Sequence, residues 1–559
     1  MKAEIDFLRR LELPARTLMF ILTIYYLLLI ASRVFVGKIY INTMPQDLLA
    51  LLDGFYRINS GQIIHRDFST VLGLFSYALP SVFMSLGAGL IRSLNYSEAV
   101  YALVALFIYL YIQRTRLDLA AGFFLGVWIP LALLARMNFG EPFESITEAM
   151  QYNRHCDVFL VFLFLLFIPA RKSNRKYLII DGALYGAISA LLFYSKISFG
   201  LVALGLLPIM LIRRRDNLTV IAVSMVAFVT IATLVEIVYG THFAWLTDVR
   251  MAAASEGRDR LNRIFHTLRD NGLELLGLLF VPAFILLFSR KLTISLAYFC
   301  VYVGIASVLI VSESAQSYVL TLPIAFLFVA LDALKGEPAS AGSMSQIRTR
   351  YVLFLSALGS MALVIESYPL AMNIALSTYR AIYAVPWDGT NQILGAIVND
   401  SSDDDRGNVK SAVIDRIDKM SKPDIFAFAR ASKSQSHWDN LSMREYANYL
   451  DTGISAARDG CENRARISTI DVTNPFPMLL GWPTGGGMIF AAAGYLFSEK
   501  GHLPNEVMFR NINCVMIPKL PVQILFRDTL LNVYWPFLSK SFQQSFESDM
   551  WTVFRRRER

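Results

Sequence analysis

Thr17–Val36 reads TLMFILTIYYLLLIASRVFV, with Arg33 as its one charge. About 20 apolar residues are what a helix needs to cross a bilayer, so this run is a membrane span. It is too long for a cleavable leader and no small-residue cleavage site follows it, so it is expected to stay as an anchor. Lys2, Arg9, Arg10 and Arg16 precede it. Similar runs recur at Ala99–Ile112, Leu119–Leu134, Val158–Ala170, Leu178–Tyr194, Ile197–Ile212, Leu218–Tyr239, Leu273–Phe288, Leu292–Val311, Val319–Leu334 and Tyr351–Leu370. The expected fold class is therefore an α-helical polytopic membrane protein with about eleven transmembrane helices. Composition agrees: 55% of the 559 residues are hydrophobic and only 17% are charged. A soluble domain carries about 25% charged residues, and disorder needs still more charge and less apolar surface. The net charge of +8 comes from short basic clusters between apolar runs, as in cytoplasmic loops, so no nucleic-acid partner is expected.

Those clusters decide how Val71–Ile91, a further apolar stretch, is read. If it does not cross, the N-terminus, Arg114/Arg116, Arg171/Lys172/Arg175/Lys176, Arg213/Arg214/Arg215, Arg290/Lys291 and Lys335/Arg348/Arg350 all lie in the cytoplasm. If it crosses, every later cluster moves outside. The stretch is thus expected to be a juxtamembrane or re-entrant element on the outer side, broken by Gly73, Pro80, Gly87 and Gly89. The outer side then carries loops 37–95, 136–156 and 240–272 of a membrane domain spanning 1–372. A soluble mixed α/β domain follows over 373–559, with strands expected at Ser411–Ile417, Arg466–Val472 and Asn513–Ile517. Cys461 and Cys514 both fall in that domain, where an oxidising compartment allows them to pair; two separate buried thiols are the alternative. There is no internal repeat.

Ionisable residues at the membrane boundary need a reason to be there. The first outer loop supplies Pro45-Gln46-Asp47, Asp53-Gly54-Phe55-Tyr56-Arg57 and His65-Arg66-Asp67-Phe68. The plain reading is a solvated loop with Asp47 as a helix N-cap. The functional reading is a carboxylate site built on Asp47, with Asp67 beside it and Asp53 and His65 as further candidates. The second loop supplies Glu141-Pro142-Phe143-Glu144 and ends Arg154-His155-Cys156-Asp157. A zinc site drawing on His65, His155 and carboxylates has no HExxH-type spacing behind it. Lys196 stands in Tyr194-Ser195-Lys196-Ile197-Ser198, between two apolar runs. It is either a snorkelling lysine or a cation facing a lipid phosphate. Arg250 begins an arginine-rich stretch that suits a helix lying on the membrane.

Taken together, these motifs resemble the GT-C superfamily of integral membrane glycosyltransferases. The branch they are most similar to contains the protein O-mannosyltransferases and the transferases that put aminoarabinose or galacturonic acid on lipid A. Asp47 matches the acidic residue that follows the first span in that family. The stretch from Asp53 through His65-Arg66-Asp67-Phe68 to Gly87 looks like its amphipathic and juxtamembrane elements. Glu141-Pro142 resembles its second acidic motif, usually Asp, and Ser195-Lys196-Ile197 its Thr-Lys-Gly turn, with the glycine delayed to Gly200. The resemblance implies a sugar donor on polyprenyl phosphate and a glycan, lipid or protein acceptor. Asp47, Glu141 and Asp67 would be catalytic, and Lys196, Arg57, Arg66 and Arg250 would hold the donor phosphate. Glu144 and His155 are secondary candidates, and a divalent metal is left open. The implied place is the bacterial inner membrane, N-terminus cytoplasmic and C-terminal domain periplasmic or extracellular. A lipid or polysaccharide transporter is the competing class, as is a glycan polymerase or ligase of another fold. The missing repeat and the large C-terminal domain weigh against a transporter.

Overall fold

The computed structural model describes residues 15–117, 119–167, 170, 175–213, 217–256, isolated positions between 264 and 310, 343–383, 385–386, 397–399, 443–489, 501–519 and 521–558. The expected spans over 273–288, 292–311 and 319–334 and the expected strand over 411–417 lie outside the described residues, apart from isolated positions.

The chain is mostly helical. Its first part runs α1 (Ala15–Val36), β1 (Ile39–Tyr40), α2 (Pro45–Asn59), α3 (Phe75–Ser85), α4 (Leu90–Thr115), α5 (Leu119–Leu134), α6 (Gln151–Leu166), α7 (Arg175–Ser195), α8 (Ile197–Arg213), α9 (Asn217–Tyr239) and α10 (His242–Glu256). A long helix, α11 (Ser343–Tyr383), follows. Among the described residues, five helical stretches are long and apolar enough to cross a membrane: Arg16–Val36, Leu90–Thr115, Arg175–Ser195, Leu218–Tyr239 and Ser360–Tyr383. Leu119–Leu134 and Ile197–Ile209 are shorter apolar helices. The sides of these helices that face away from the core are themselves apolar. Phe35, Phe107 and Ile237 are 86%, 69% and 75% exposed. A water-soluble surface does not carry so continuous an apolar coat, and a bilayer supplies the solvent it needs.

Val71–Ile91 does not form one helix. Residues Phe75–Ser85 make α3, which at 1.5 Å per residue reaches about 16 Å, half of a hydrocarbon core. Gly87 ends it with φ of +92°, a conformation open to glycine, and α4 begins at Leu90 and takes in Ile91. Helix α11 continues through Met372 to Tyr383, so it ends beyond the residue at which the sequence suggested a domain boundary.

Beyond α11 come β2 (Val385–Pro386), β3 (Ile397–Asn399), α12 (Met443–Gly460), β4 (Ile467–Thr469), α13 (Phe476–Leu480), α14 (Asn505–Met508), β5 (Cys514–Pro518), α15 (Ile524–Ser541), β6 (Phe542–Glu547) and β7 (Trp551–Arg556). The last four strands form a small mixed sheet in the order β4-β5-β7-β6, parallel between β4 and β5 and antiparallel elsewhere. A second sheet, β1-β3-β2, pairs Ile39–Tyr40 with Ile397–Val398 and so stitches the first loop to the segment after α11.

Two large cores, with a small third cluster of Tyr40, Ile146 and Ala381, hold the described residues together. One lies among α1, α4, α5, α6, α7 and α8, around Tyr26, Tyr109, Trp128 and the wholly buried Phe159–Phe164 of α6. The other merges Leu48, Leu52 and Phe55 of α2, Tyr77 of α3, Tyr194 and Trp245 with Tyr446, Tyr449, Phe476 and Trp551 of the C-terminal part. The C-terminal part is therefore packed on the loop between α1 and α4 rather than hung from a linker. Main-chain bonds confirm the seam: Ser69 donates to Gly487 O at 2.9 Å, and Ile489 donates to Ser69 O at 3.1 Å. Through this arrangement the ends of α1, α5, α7 and α9 and the starts of α4, α6 and α8 meet at one end of the bundle. Arg114, Arg116, Arg175 and Lys176 mark the opposite end.

Cys461 and Cys514 are joined, with Cα atoms 5.7 Å apart, as the alternative with a pair anticipated. The bond ties the end of α12 to the start of β5. Closing a loop of 53 residues stabilises the fold by about 4 kcal/mol in the chain-entropy account. Cys461→Ala with Cys514→Ala is expected to lose about that much in denaturant unfolding. Alkylation of both thiols in the unreduced, natively folded protein would show that the bond does not form.

Candidate functional site

Asp47 lies in the first turn of α2. Met44, in the left-handed region at φ of +51°, precedes the helix, and Pro45 starts it with a ring that needs no hydrogen bond there. Asp47 is not the N-cap. Its carboxyl is half-buried and makes no side-chain hydrogen bond or ion pair among the described residues. Burial raises its pKa from 3.8 to about 7. A carboxyl that gains a proton near neutrality and has no fixed partner is suited to accepting one from something else.

Lys196 is the single residue between α7 and α8. Its peptide N–H donates to Leu192 O at 2.9 Å, and its carbonyl accepts from Phe199 N at 3.1 Å. The loop before α3 braces this turn. Gly73 N donates to Ser195 O at 2.9 Å, and a Cβ on Gly73 would stand 2.1 Å from Tyr194 O, so no larger residue fits. The Lys196 Nζ donates to Asn153 Oδ1 at 3.1 Å and lies 5.7 Å from the centre of the Tyr152 ring and 5.9 Å from that of Phe199. Asp157, one turn beyond Asn153 on α6, is fully buried, and neither of its carboxyl oxygens has a hydrogen-bond partner. It acts electrostatically on the same ammonium.

Tyr152 connects the two. It lies within electrostatic reach of Asp47 and carries the ammonium of Lys196 over its ring. Tyr446 of α12 also lies within electrostatic reach of Asp47, so the C-terminal part contributes to the surroundings of this carboxyl. A cavity of about 30 Å³ adjoins them, lined by Leu51, Ser97, Glu98, Tyr152, His155 and Ser195 among others. That space is large enough for a water molecule and too small for a sugar. His155 lies against Tyr101, with ring centres 4.7 Å apart and the planes tilted by 39°.

Behind α6 sits a buried charge network. The Arg136 guanidinium donates to Asn95 Oδ1 at 2.6 Å and pairs with Glu98, 3.5 Å away, and with Glu148. Gln151 donates to the other oxygen of Glu98, and Arg154 donates to Met137 O at 2.6 Å. Arg33 of α1 reaches Leu134 O and Ser377 Oγ. This network fixes the start of α6, and with it Tyr152 and Asn153.

The other candidates lie elsewhere. Asp53 and Arg57 form a buried pair at 2.7 Å, and Arg57 also donates to Gly485 O at 2.8 Å, binding α2 to the C-terminal part. His65, at φ of +65°, shares a hydrogen bond of 2.8 Å with Asp248 and lies against Trp245, which locks the first loop to α10. Asp67 accepts from Ile63 N at 2.7 Å beside the exposed Arg66. Glu141 accepts from Asn138 Nδ2 at 3.0 Å and Ser145 Oγ at 2.7 Å, closing its own loop. Glu144 and Arg250 are exposed. Among the described residues no three His, Cys, Asp or Glu side chains gather as a metal set.

Two solved structures are similar in overall path. ArnT from Cupriavidus metallidurans bound to undecaprenyl phosphate covers 95% of this chain and 97% of its own, at 12% identity and a TM-score of 0.40. ArnT from the same organism in the apo state covers 95% and 98%, at 13% identity and a TM-score of 0.37. No protein-family profile and no curated protein matches the chain.

Sequence reasoning passed over Tyr152, Asn153 and Asp157, and the partners Glu98 and Glu148. Their signal was present but faint. Asp157 and Glu98 each stand immediately before an apolar run, where a charge has to find a buried partner or a function.

Proposed function

We propose that this chain is a membrane glycosyltransferase that moves a sugar from polyprenyl phosphate to a glycan, lipid or protein acceptor at the outer face of the bacterial inner membrane. The observation that supports this best is that Tyr152, with the Lys196 ammonium over its ring, is also within electrostatic reach of Asp47, so that groups far apart in the chain share one neighbourhood. In this reading Asp47 takes the proton from the acceptor hydroxyl as its oxygen attacks the anomeric carbon. The bond from that carbon to the phosphate oxygen breaks, and the lipid phosphate leaves with its electrons. Lys196 stabilises the charge on the phosphate, held in line by Asn153 and Asp157. Glu141, Asp53, Arg57 and His65 shape the loops around this pair, and no step is routed through a metal. The Cys461–Cys514 bond supports placing the C-terminal part in an oxidising compartment. The basic residues at the far ends of the helices support a cytoplasmic face there.

The test is sugar transfer by purified protein, with donor-lipid binding measured separately. Lys196→Ala is expected to weaken donor binding by roughly 10–100-fold, the value of a hydrogen bond to a charged group, and to slow transfer as well. Unchanged binding would remove Lys196 from the donor site. Protein that moves the lipid across liposomes and transfers no sugar would replace the enzyme with a transporter.

A further inference from the structure

At the far end of α2 from Asp47, a second and larger recess opens where the first loop meets the C-terminal part. It has a volume of about 330 Å³, in the range of small-ligand sites. One wall is Gln62 and Asp67, and the other is Thr484, Arg466, Arg510 and Asn511. The lining is polar, which a lipid tail would not select. Arg466 is exposed, and its guanidinium makes no hydrogen bond or ion pair among the described residues. Arg510 is exposed too and gives one bond, at 3.0 Å, to Arg66 O. Asp67 has one carboxyl oxygen engaged by Ile63 N and Arg66, and the other makes no hydrogen bond. Two guanidinium groups against one carboxylate leave the recess net positive. The Asp and Gln side chains offer acceptors and donors for hydroxyls, and the Arg side chains offer forks for a carboxylate or phosphate.

The walls are fixed in place. Gly485 and Gly486 pack so closely on the 507–512 turn that a Cβ would stand 2.2 Å from Ile512 Cδ1 and 2.5 Å from Val507 O respectively. Arg57 and Gln62 both donate to Gly485 O, at 2.8 and 3.1 Å, so the two halves of the recess are held together before any ligand arrives. Along α2 the recess lies about 20 Å from Asp47, too far to take part in the chemistry there.

We propose that this recess is a separate carbohydrate site that holds an anionic sugar unit, one bearing a carboxylate or a phosphate, of an extended acceptor whose reacting end lies at Asp47. The assignment to the acceptor rests on the glycosyltransferase reading; the site itself does not. The test is calorimetric binding of trigalacturonate, phosphorylated maltotriose and neutral maltotriose to the full chain in detergent micelles. At least one charged trisaccharide is expected to bind, and which one does identifies the acidic group. Arg466→Ala is expected to weaken that binding about tenfold, and Arg466→Ala with Arg510→Ala further. The main-chain carbonyl of Arg466 accepts from Asn513 N and Cys514 N, bonds that alanine keeps, and its guanidinium makes no hydrogen bond or ion pair among the described residues, so the thermal unfolding of the single variant is expected to match the parent. Binding of none of the three, equal binding of the neutral sugar, or full affinity in Arg466→Ala would overturn the site. If Arg466-dependent binding is found while the protein transfers no sugar, the recess stands and the transferase reading falls. If transfer occurs and no charged saccharide binds, the recess alone falls.

Discussion

Asp47→Asn is expected to slow sugar transfer roughly 10²–10⁴-fold, the usual loss when a general base is removed, with donor lipid still bound. The amide keeps the shape of the first turn of α2, and Asp47 makes no side-chain hydrogen bond that the change would break. The same carboxyl predicts a pH profile. Burial raises its pKa to about 7, so below that pH it is mostly protonated and takes no further proton. In kcat/KM, which reports the free enzyme, activity should fall about tenfold per unit below pH 7 and level off above it. Stability should move the other way. The folded carboxyl holds its proton to higher pH than the unfolded one, so the fold loses stability as pH rises from 3.8 towards 7. An acid limb near pH 4, or wild-type transfer by Asp47→Asn, would remove Asp47 from the role of base.

What the sequence discloses, and what it hides, follows from the range of the interactions. Hydropathy is local, and the runs at Leu119–Leu134 and Leu218–Tyr239 correspond closely to helices α5 and α9. The break inside Val71–Ile91 is equally local, because Gly87 takes a φ of +92° after α3 ends, whereas Pro80, expected as a break, lies inside α3. Asp53 and Arg57 stand four apart on one helix face and pair with each other, although the sequence expectation set Arg57 on the donor phosphate and Asp53 among the site candidates. The burial of Asp47 and the neighbours of Lys196 were not legible, since Tyr152, Asn153 and Tyr446 come from other helices and no local period marks them. The seam between the first loop and the C-terminal part was hidden for the same reason. Its anchors, Gly485 and Gly487, sit in a glycine cluster that reads only as a turn.

The network behind α6 tests that lesson most sharply. Arg136→Ala is expected to destabilise the protein by about 3–5 kcal/mol, as removing one member of a buried ion pair does. Arg136 is fully buried and faces Asn95, Glu98 and Glu148. Without its guanidinium, two carboxylates remain in a space that already disfavours charge; burial raises the pKa of Glu148 even with Arg136 present. Arg154 and Arg33 soften the loss, because both act on Glu148 from a distance. The consequence reaches the proposed site. Gln151 is bonded to Glu98, and Tyr152 and Asn153 follow it in the first turn of α6. Loosening that turn should misplace the Asn153 oxygen on which Lys196 rests, so donor binding falls along with stability. Arg136→Met combined with Glu148→Gln removes the charge together with its principal partner and should recover part of both losses. That non-additive recovery separates an electrostatic network from simple packing. Thermal unfolding in micelles reads the first effect and lipid binding the second. An Arg136→Ala protein that unfolds where the parent does would show that these carboxylates find other partners.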